Sequence, residues 1–387
     1  MIGVESGLSD NNKKKLLVIS EPLNSLNSVQ LKFILDFAKS ITNIFDVTVA
    51  TVNGSAAVAE LFKNAGIRLI YPQSEIYKVN KILTKIGKGN EASVWAEAWL
   101  MEALIEENSK VIRALMKDEK FDFVINTSNT VAIESDIWWI QGISPESVLK
   151  KMEFRHAWQK GIARMIGICL RTPNNSILRR FVGNSRTLVA NSNYVRKYYS
   201  DMGVNVKHVA YTLPDMSGFK PLPTELDEKY VLSYIGKETE VGVLERLIAE
   251  DIKVIAFGGK MVPGIFNQKR HNSIHFRGRV THDQLVELYS SALFTVFPFT
   301  DEPLGCIPVE SMACGTPVLT YNKQGPMETV VNGETGWLVD KAENLISTGS
   351  KLWHEGFERE TFSRNSIERA ELFSPKHQAK KIIEILT

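Results

Sequence analysis

A rhythm constrains this chain more than any single motif. Short apolar runs rich in β-branched residues alternate with longer stretches whose apolar residues recur at helical spacing. "LLVIS" (16–20) precedes a helical pattern through "VQLKFILDFAKSI" (29–41), "DVTVATV" (46–52) precedes "AAVAELFKNAG", and "IRLIY" (67–71) precedes a long helical stretch over 91–117. "FDFVINTS" (121–128), "DIWWIQG" (136–142) and "RTLVANS" (186–192) continue the series. A strand that is apolar throughout needs cover on both faces, and intervening helices supply it. The expected unit is a doubly wound α/β fold around a parallel sheet.

The rhythm pauses over "HVAYTLPDMSGFKPLPTELDEKY" (208–230), which holds three prolines and little periodicity. This reads as a connection between domains. Alternation restarts at "YVLSYIG" (230–236) and runs through "IKVIAFGG" (252–259), "SIHFRGRV" (273–280), "LFTVFPF" (293–299) and "PVLTY" (317–321). Two Rossmann-like units in tandem are expected, one over 1–208 and one over 215–370. In such a pair a ligand binds between the units, at the carboxyl ends of the strands.

Bulk properties remove several function classes. A net charge of +2 over 387 residues gives no general attraction for nucleic acid. The cysteines, Cys169, Cys306 and Cys314, are too few and too widely spaced for a disulfide framework or a structural zinc site. A reducing interior fits them, so a cytoplasmic location is expected. The first twenty residues lack the apolar core of a secretory signal. No uncharged apolar run reaches the length, about 18 residues, that spans a bilayer.

Phosphate motifs are scarce. No G-x-x-x-x-G-K-[ST] occurs, and "GKGNEA" (87–92) follows a lysine-studded helical stretch where the dinucleotide fingerprint requires a strand. "TDEPLGCIPVESMACGTPVL" (300–319) carries more. Turn residues follow the strand 293–299, then a short helix begins, with Pro308 in its first turn and Gly315 at its close. Glu302 therefore precedes the helix and Glu310 lies inside it. Amides of Leu304, Gly305 and Cys306 at the helix start form an anion site, and Gly305 allows close approach of a ligand. Two readings stand side by side: carboxylates and amides that hold a sugar diphosphate, or charges that stabilise a helix start. Downstream, "NKQGPMETVVNGETGWLVD" (322–340) breaks at Gly325–Pro326 directly after a strand, where ligand loops sit. The bland alternative for Glu328 there is a helix-start charge.

The ordered series resembles a known family. Glu302 to Glu310 is an E-x7-E element, followed by "SMACGTPV" and "GPMETVVNGETGWLV". Upstream stand "VANSNYVRKYY" (189–199), "PDMSGFKP" (214–221) and "FRGRVTHDQLVELYSSALFTVFP" (276–298), and "FSPKHQAKKIIEIL" (373–386) closes the chain. Together they are similar to the family 4 (group 1) retaining glycosyltransferases of GT-B fold, densely from about 186 onward and by topology alone before that. The resemblance implies transfer of a hexose from a nucleotide diphosphate sugar to an acceptor hydroxyl, without a metal or other cofactor. It implies that Glu302 orients the donor sugar while amides around Leu304, Gly305 and Cys306 hold its hydroxyls or phosphate. Glu310 would accept from the ribose hydroxyls, Gly278, Arg279 and Val280 would contact the base largely by backbone, and Lys237 would meet the diphosphate. It also implies that a last helix, 374–387, packs back on the first domain.

The chain departs from that family in places. Val241 stands where a second cation is usual, which leaves Lys260, Lys253 or an Arg within 277–279 as replacements. The turn after the first strand, "SEPLNSLNSVQ" (20–30), has no glycine pair, so its amides must come from a helix start at Ser28. Gln141 occupies a position where relatives often carry His, and an amide cannot act as a base. Acceptor identity therefore stays open, a saccharide or a lipid-linked hydroxyl. The segment 149–181 holds eight Lys/Arg between 150 and 180 against Glu153 alone. It reads first as a helix with a solvated basic face, and otherwise as a peripheral contact with an anionic inner membrane surface or a lipid phosphate. A sugar-nucleotide epimerase of the same fold and a non-catalytic nucleotide-sugar-binding subunit remain as alternatives.

Overall fold

A computed structural model of the protein describes residues 13–23, 26, 28–72, 91–142, 175–223, 229–236, 239–258, 274–299 and 302–387, with backbone alone over 91–99. Lys237, Lys260, Cys169, the 87–90 part of "GKGNEA" and the 149–174 part of the basic segment lie outside the described residues.

The first strand, β1 (Lys14–Ser20), shows why the sheet is covered on both sides. Leu16 and Val18 enter one apolar cluster, while Leu17 and Ile19 enter another across the sheet. Strands β2 (Phe45–Thr51), β3 (Arg68–Ile70), β4 (Phe123–Asn126), β5 (Ser135–Ile140), β6 (Ser185–Ala190) and β7 (His208–Val209) complete a seven-stranded sheet in the order β3-β2-β1-β4-β5-β6-β7. Every pairing is parallel. Helices α1 (Val29–Ile41), α2 (Ala56–Asn64), α3 (Glu91–Leu115) and α4 (Asn193–Asp201) belong to this unit, with further helical backbone over 175–183.

The second unit repeats the plan. Strands β8 (Val231–Tyr234), β9 (Val254–Phe257), β10 (His275–Phe276), β11 (Thr295–Phe297), β12 (Val318–Tyr321) and β13 (Gly336–Val339) form a parallel sheet ordered β10-β9-β8-β11-β12-β13. Its helices are α5 (Val241–Ala249), α6 (His282–Ser291), α7 (Cys306–Ala313), α8 (Pro326–Thr329), α9 (Ala342–Glu355) and α10 (Arg359–Glu371). The last helix, α11 (Pro375–Leu386), returns to the first unit, where Ala379 and Ile382 are buried in the same cluster as Phe33, Phe37 and Trp139.

Strand order reverses between β1 and β4 in one sheet and between β8 and β11 in the other. Crossovers leave such a point in opposite directions and open a crevice at the carboxyl ends of the strands. In the second unit the described ends of the loops after β8 and β11 meet there: Thr239 bridges Phe299, and the Glu240 N–H donates to the Pro298 carbonyl at 2.9 Å.

Some strands are shorter than the apolar runs suggested. The described part of the run 273–280 pairs only at His275–Phe276: the Arg277 N–H makes the last bond to β9, at the Ala256 carbonyl, and Gly278 then leaves the extended conformation at a φ of +69°. The stretch 208–230 is not irregular throughout. His208 and Val209 pair with Val189 and Ala190 as an edge strand, too short for its period to be visible in the sequence.

Candidate functional site

Helix α7 starts as its sequence dictates. Gly305 takes the N-cap position at a φ of +92°, a conformation that a side chain disfavours. Gly315, at φ +75°, ends the helix: its N–H reaches the Met312 carbonyl and the Thr316 N–H reaches the Ser311 carbonyl. Between these ends Pro308, Val309, Ser311 and Met312 are buried.

Glu302 lies just outside the helix and closes back on it. Its Oε1 accepts from the Gly305 N–H at 3.0 Å and from the Leu304 N–H at 3.3 Å. Two amides predicted to face a ligand are thus held by the neighbouring carboxylate. The loop is pinned further: the Glu302 N–H donates to Gln324 Oε1, and the Gly325 N–H donates to the Glu302 carbonyl, both at 3.0 Å. Gly325 is required there, since a Cβ would stand 2.3 Å from Leu304 Cα. The loops after β11 and β12 therefore behave as one body.

Glu310, one turn into α7, is 9% exposed, and its Oε2 accepts from the Tyr289 hydroxyl at 3.1 Å. Burial raises its carboxyl to about 7, opposed by the Tyr289 bond and by the positive charge of Lys32 on α1 of the first unit. The Tyr289 hydroxyl is itself pushed well up, chiefly by burial and then by Glu310. The Cys306 thiol is raised by burial, then by Glu310 and then by Glu302, so it lies in the field of both carboxylates. The E-x7-E spacing has brought both to the same helix start.

At the position where a second cation is usual, Val241 opens α5 and is buried among Leu244, Leu247 and Tyr321. The Tyr321 hydroxyl donates to Glu240 Oε2 at 2.5 Å, and Lys323 Nζ sits 4.1 Å above the Tyr321 ring. Lys253 precedes β9 at the amino edge of the sheet, opposite to these loops, so it is no replacement. Arg277 and Arg279 are exposed in the loop after β10. Gly278 lends its carbonyl to the Gly258 N–H at 2.9 Å, and Val280 packs against the second unit's core.

On the first unit, Ser28 occupies the N-cap position of α1, but its hydroxyl makes no capping bond. Gln141 Nε2 donates to the Trp139 carbonyl at 3.0 Å, and its own carbonyl accepts from Asn191 Nδ2 at 2.8 Å. At the β1/β4 switch point Glu21 bridges two loops, accepting from the Asn129 N–H at 2.7 Å and the Thr130 hydroxyl at 2.6 Å. Ser20 Oγ beside it is buried without a hydrogen-bond partner. Glu21, Lys32, Tyr289 and Gln324 were missed in the sequence. For Tyr289 the available signal was a polar-tipped aromatic on the apolar face of a helix, which needs a partner. Glu328 stands in the first turn of α8, and its carboxylate also bonds outside its own helix, to Asn193 and Tyr194 of the first unit.

Among the described residues no group of His, Cys, Asp and Glu is placed to hold a metal ion, and no helix is long and apolar enough to cross a membrane.

Residues 242–369 match the family model described as glycosyl transferases group 1. A D-inositol 3-phosphate glycosyltransferase of Rhodococcus jostii is 30% identical over 154 residues, 36% of this chain and 34% of that protein. The capsular polysaccharide biosynthesis glycosyltransferase CapM of Staphylococcus aureus is 28% identical over 162 residues, 38% and 42% of the two. The chain thus matches well under half the length of these relatives. Solved structures align over nearly all of it. Anabaena HepE covers 96% of this chain and 98% of its own at TM-score 0.60 and 15% identity, and the lipopolysaccharide glycosyltransferase WaaG covers 96% and 99% at 0.61 and 13%. At such identity the likeness speaks for the fold, which is GT-B.

Proposed function

We propose that the chain is a retaining glycosyltransferase that moves a hexose from a nucleotide diphosphate sugar to an acceptor hydroxyl. The observation that carries this is the joint placement of Glu302, Glu310 and the amide-rich start of α7 at the second unit's switch point. Those parts suit the donor. Backbone donors and the helix dipole favour phosphate or sugar oxygens, while carboxylates accept from hydroxyls. A donor sugar would take over the amides that Glu302 covers and leave that carboxylate to accept from its hydroxyls. Glu310, held by Tyr289, would accept from the ribose, and Lys237 would neutralise the leaving diphosphate. Gly278 to Val280 would border the base. That HepE has been solved with UDP-glucose supports a nucleotide sugar as donor.

Retention rests on the family resemblance of the E-x7-E series. With Gln141 unable to take a proton, the nucleotide's own phosphate would receive the acceptor proton. The carboxyl edge of the first unit's sheet, with Glu21, Ser20, Ser28 and Gln141, is the proposed acceptor side. The sparse cysteines support work in a reducing compartment.

The test is a thermal-shift screen of nucleotide sugars, since a ligand bound only to the folded state raises its Tm. Transfer from the stabilising donor should then be lost in Glu302→Ala. Near wild-type turnover in that variant would overturn the assignment. Stabilisation without transfer to any acceptor would favour a binding subunit, and consumption of donor without acceptor would favour an epimerase.

A further inference from the structure

We infer that Glu328 is an interdomain latch that holds the donor loops of the second unit in register with the first. It rests on the preceding reading for its effect on transfer, but not for its effect on shape. Glu328 sits on α8, directly after the loop that pins Glu302. Its Oε2 accepts from the Asn193 N–H at 2.8 Å and from Asn193 Nδ2 at 2.9 Å, and its Oε1 accepts from the Tyr194 N–H at 2.7 Å. These are amides of the first turn of α4, which have no partner within their own helix. Ser192 satisfies a third amide of that turn, Val195. The helix start of one unit is therefore completed by a carboxylate from the other, and the helix dipole adds to the attraction.

The latch is braced on both sides. Arg369 of α10 donates to the Glu328 and Thr329 carbonyls, which fixes the backbone of α8. The Tyr211 hydroxyl, from the connection between the units, reaches Glu328 Oε2 at 3.4 Å. Tyr211 in turn meets Phe373 edge-on at 5.0 Å and gives its N–H to Gln378 of α11 at 2.9 Å. All the covalent links between the units pass close to this point.

The coupling to the site is short. The Glu328 N–H donates to the Gly325 carbonyl, and the Gly325 N–H donates to the Glu302 carbonyl. A shift of Glu328 against α4 is thus a shift of the loop carrying Glu302 against the first unit. Glu328 acts through the loop that carries Glu302 and is a positioning residue. Rotation of one domain on another about a few terminal contacts is a familiar way to open and close a cleft.

The latch can be cut from either side. Glu328→Ala removes the carboxylate. Asn193→Pro removes two of the donors while keeping a residue suited to the first helical position, and the extended Ser192 before it accommodates a proline. Small-angle X-ray scattering of the full chain should show a larger radius of gyration in Glu328→Ala and a smaller increase in Asn193→Pro. Transfer should fall by about tenfold or more, as expected when reacting groups lose alignment, with the nucleotide Kd within about twofold of wild type. Scattering unchanged in both variants overturns the latch, whatever the activity. Expanded scattering in a chain that transfers nothing even as wild type leaves the latch standing and removes the proposed function instead. A nucleotide Kd weakened as much as turnover assigns Glu328 to donor binding and overturns its positioning role.

Discussion

The Tyr289 hydroxyl donates to Glu310 Oε2 at 3.1 Å inside the second unit's core, and this bond joins α6 to α7, whose Val286, Val309 and Met312 share one apolar cluster. It holds a carboxylate where solvent scarcely reaches.

That burial sets a pH dependence. The Glu310 carboxyl lies near 7 when folded, above its value of 4.5 in an unstructured chain. A raised acid favours the folded state while it is protonated, so its contribution is full below about 4.5 and lost as pH rises through about 7. In Glu310→Gln that loss disappears. Urea unfolding at pH 8 should find the variant more stable than wild type by on the order of 2–3 kcal/mol, with little difference at pH 4.5. Equal slopes of stability against pH in both proteins would contradict the buried titration.

The same group ties nucleotide affinity to pH. A carboxylate accepts from ribose hydroxyls, and a carboxylic acid does so less well. Calorimetry from pH 6 to 8 should show wild-type nucleotide affinity rising. Glu310→Gln should bind about 1–3 kcal/mol more weakly at pH 8, with a flat profile. Unchanged affinity in the variant would remove Glu310 from the ribose site.

Gly325→Ala tests the union of the two loops. The added Cβ would stand 2.3 Å from Leu304 Cα and 2.5 Å from the Pro303 carbonyl oxygen, both backbone atoms with little freedom to yield. The loop holding Glu302 must move. We expect a loss of about 2 kcal/mol or more in stability and a larger loss in turnover than in nucleotide affinity. A variant with wild-type Tm and turnover would show that the loops are not joined at this point.

Gln378→Ala probes the return of the last helix. Gln378 is 1% exposed, accepts from the Tyr211 N–H at 2.9 Å and donates to the Leu372 carbonyl at 3.1 Å. Truncation leaves both backbone groups unmatched, which costs about 1–3 kcal/mol. Denaturant unfolding measures it directly. A loss of a few tenths would mean that water replaces the amide.

Much of the architecture was legible because burial on both faces leaves a strong mark. β1 and β12 are nearly continuous apolar runs, and α1 has bounds that its periodicity marks at both ends. Proline and glycine placed α7 in the same way. What escaped was of another kind. The partners Glu21 and Thr130, Tyr289 and Glu310, and Asn193 and Glu328 are far apart in the chain, and no local pattern announces such bonds. Glu328 shows the reason: an acidic residue near a helix start stabilises that helix as a rule, and here its carboxylate also completes the start of a second helix far off in the chain. Val241 stands out in the sequence as a missing charge, and its burial beside Leu244 shows that the position works for the core.

The return of α11 carries a consequence for biosynthesis. Ala379 and Ile382 lie in the core that also holds Phe37 and Trp139, so the first unit is finished with residues translated after the whole of the second. Domains generally fold in the order in which they leave the ribosome. Here the earlier unit must wait, with an apolar groove along α1 uncovered, until translation has passed residue 382. The order of synthesis thus makes the second unit the first that can reach its final packing.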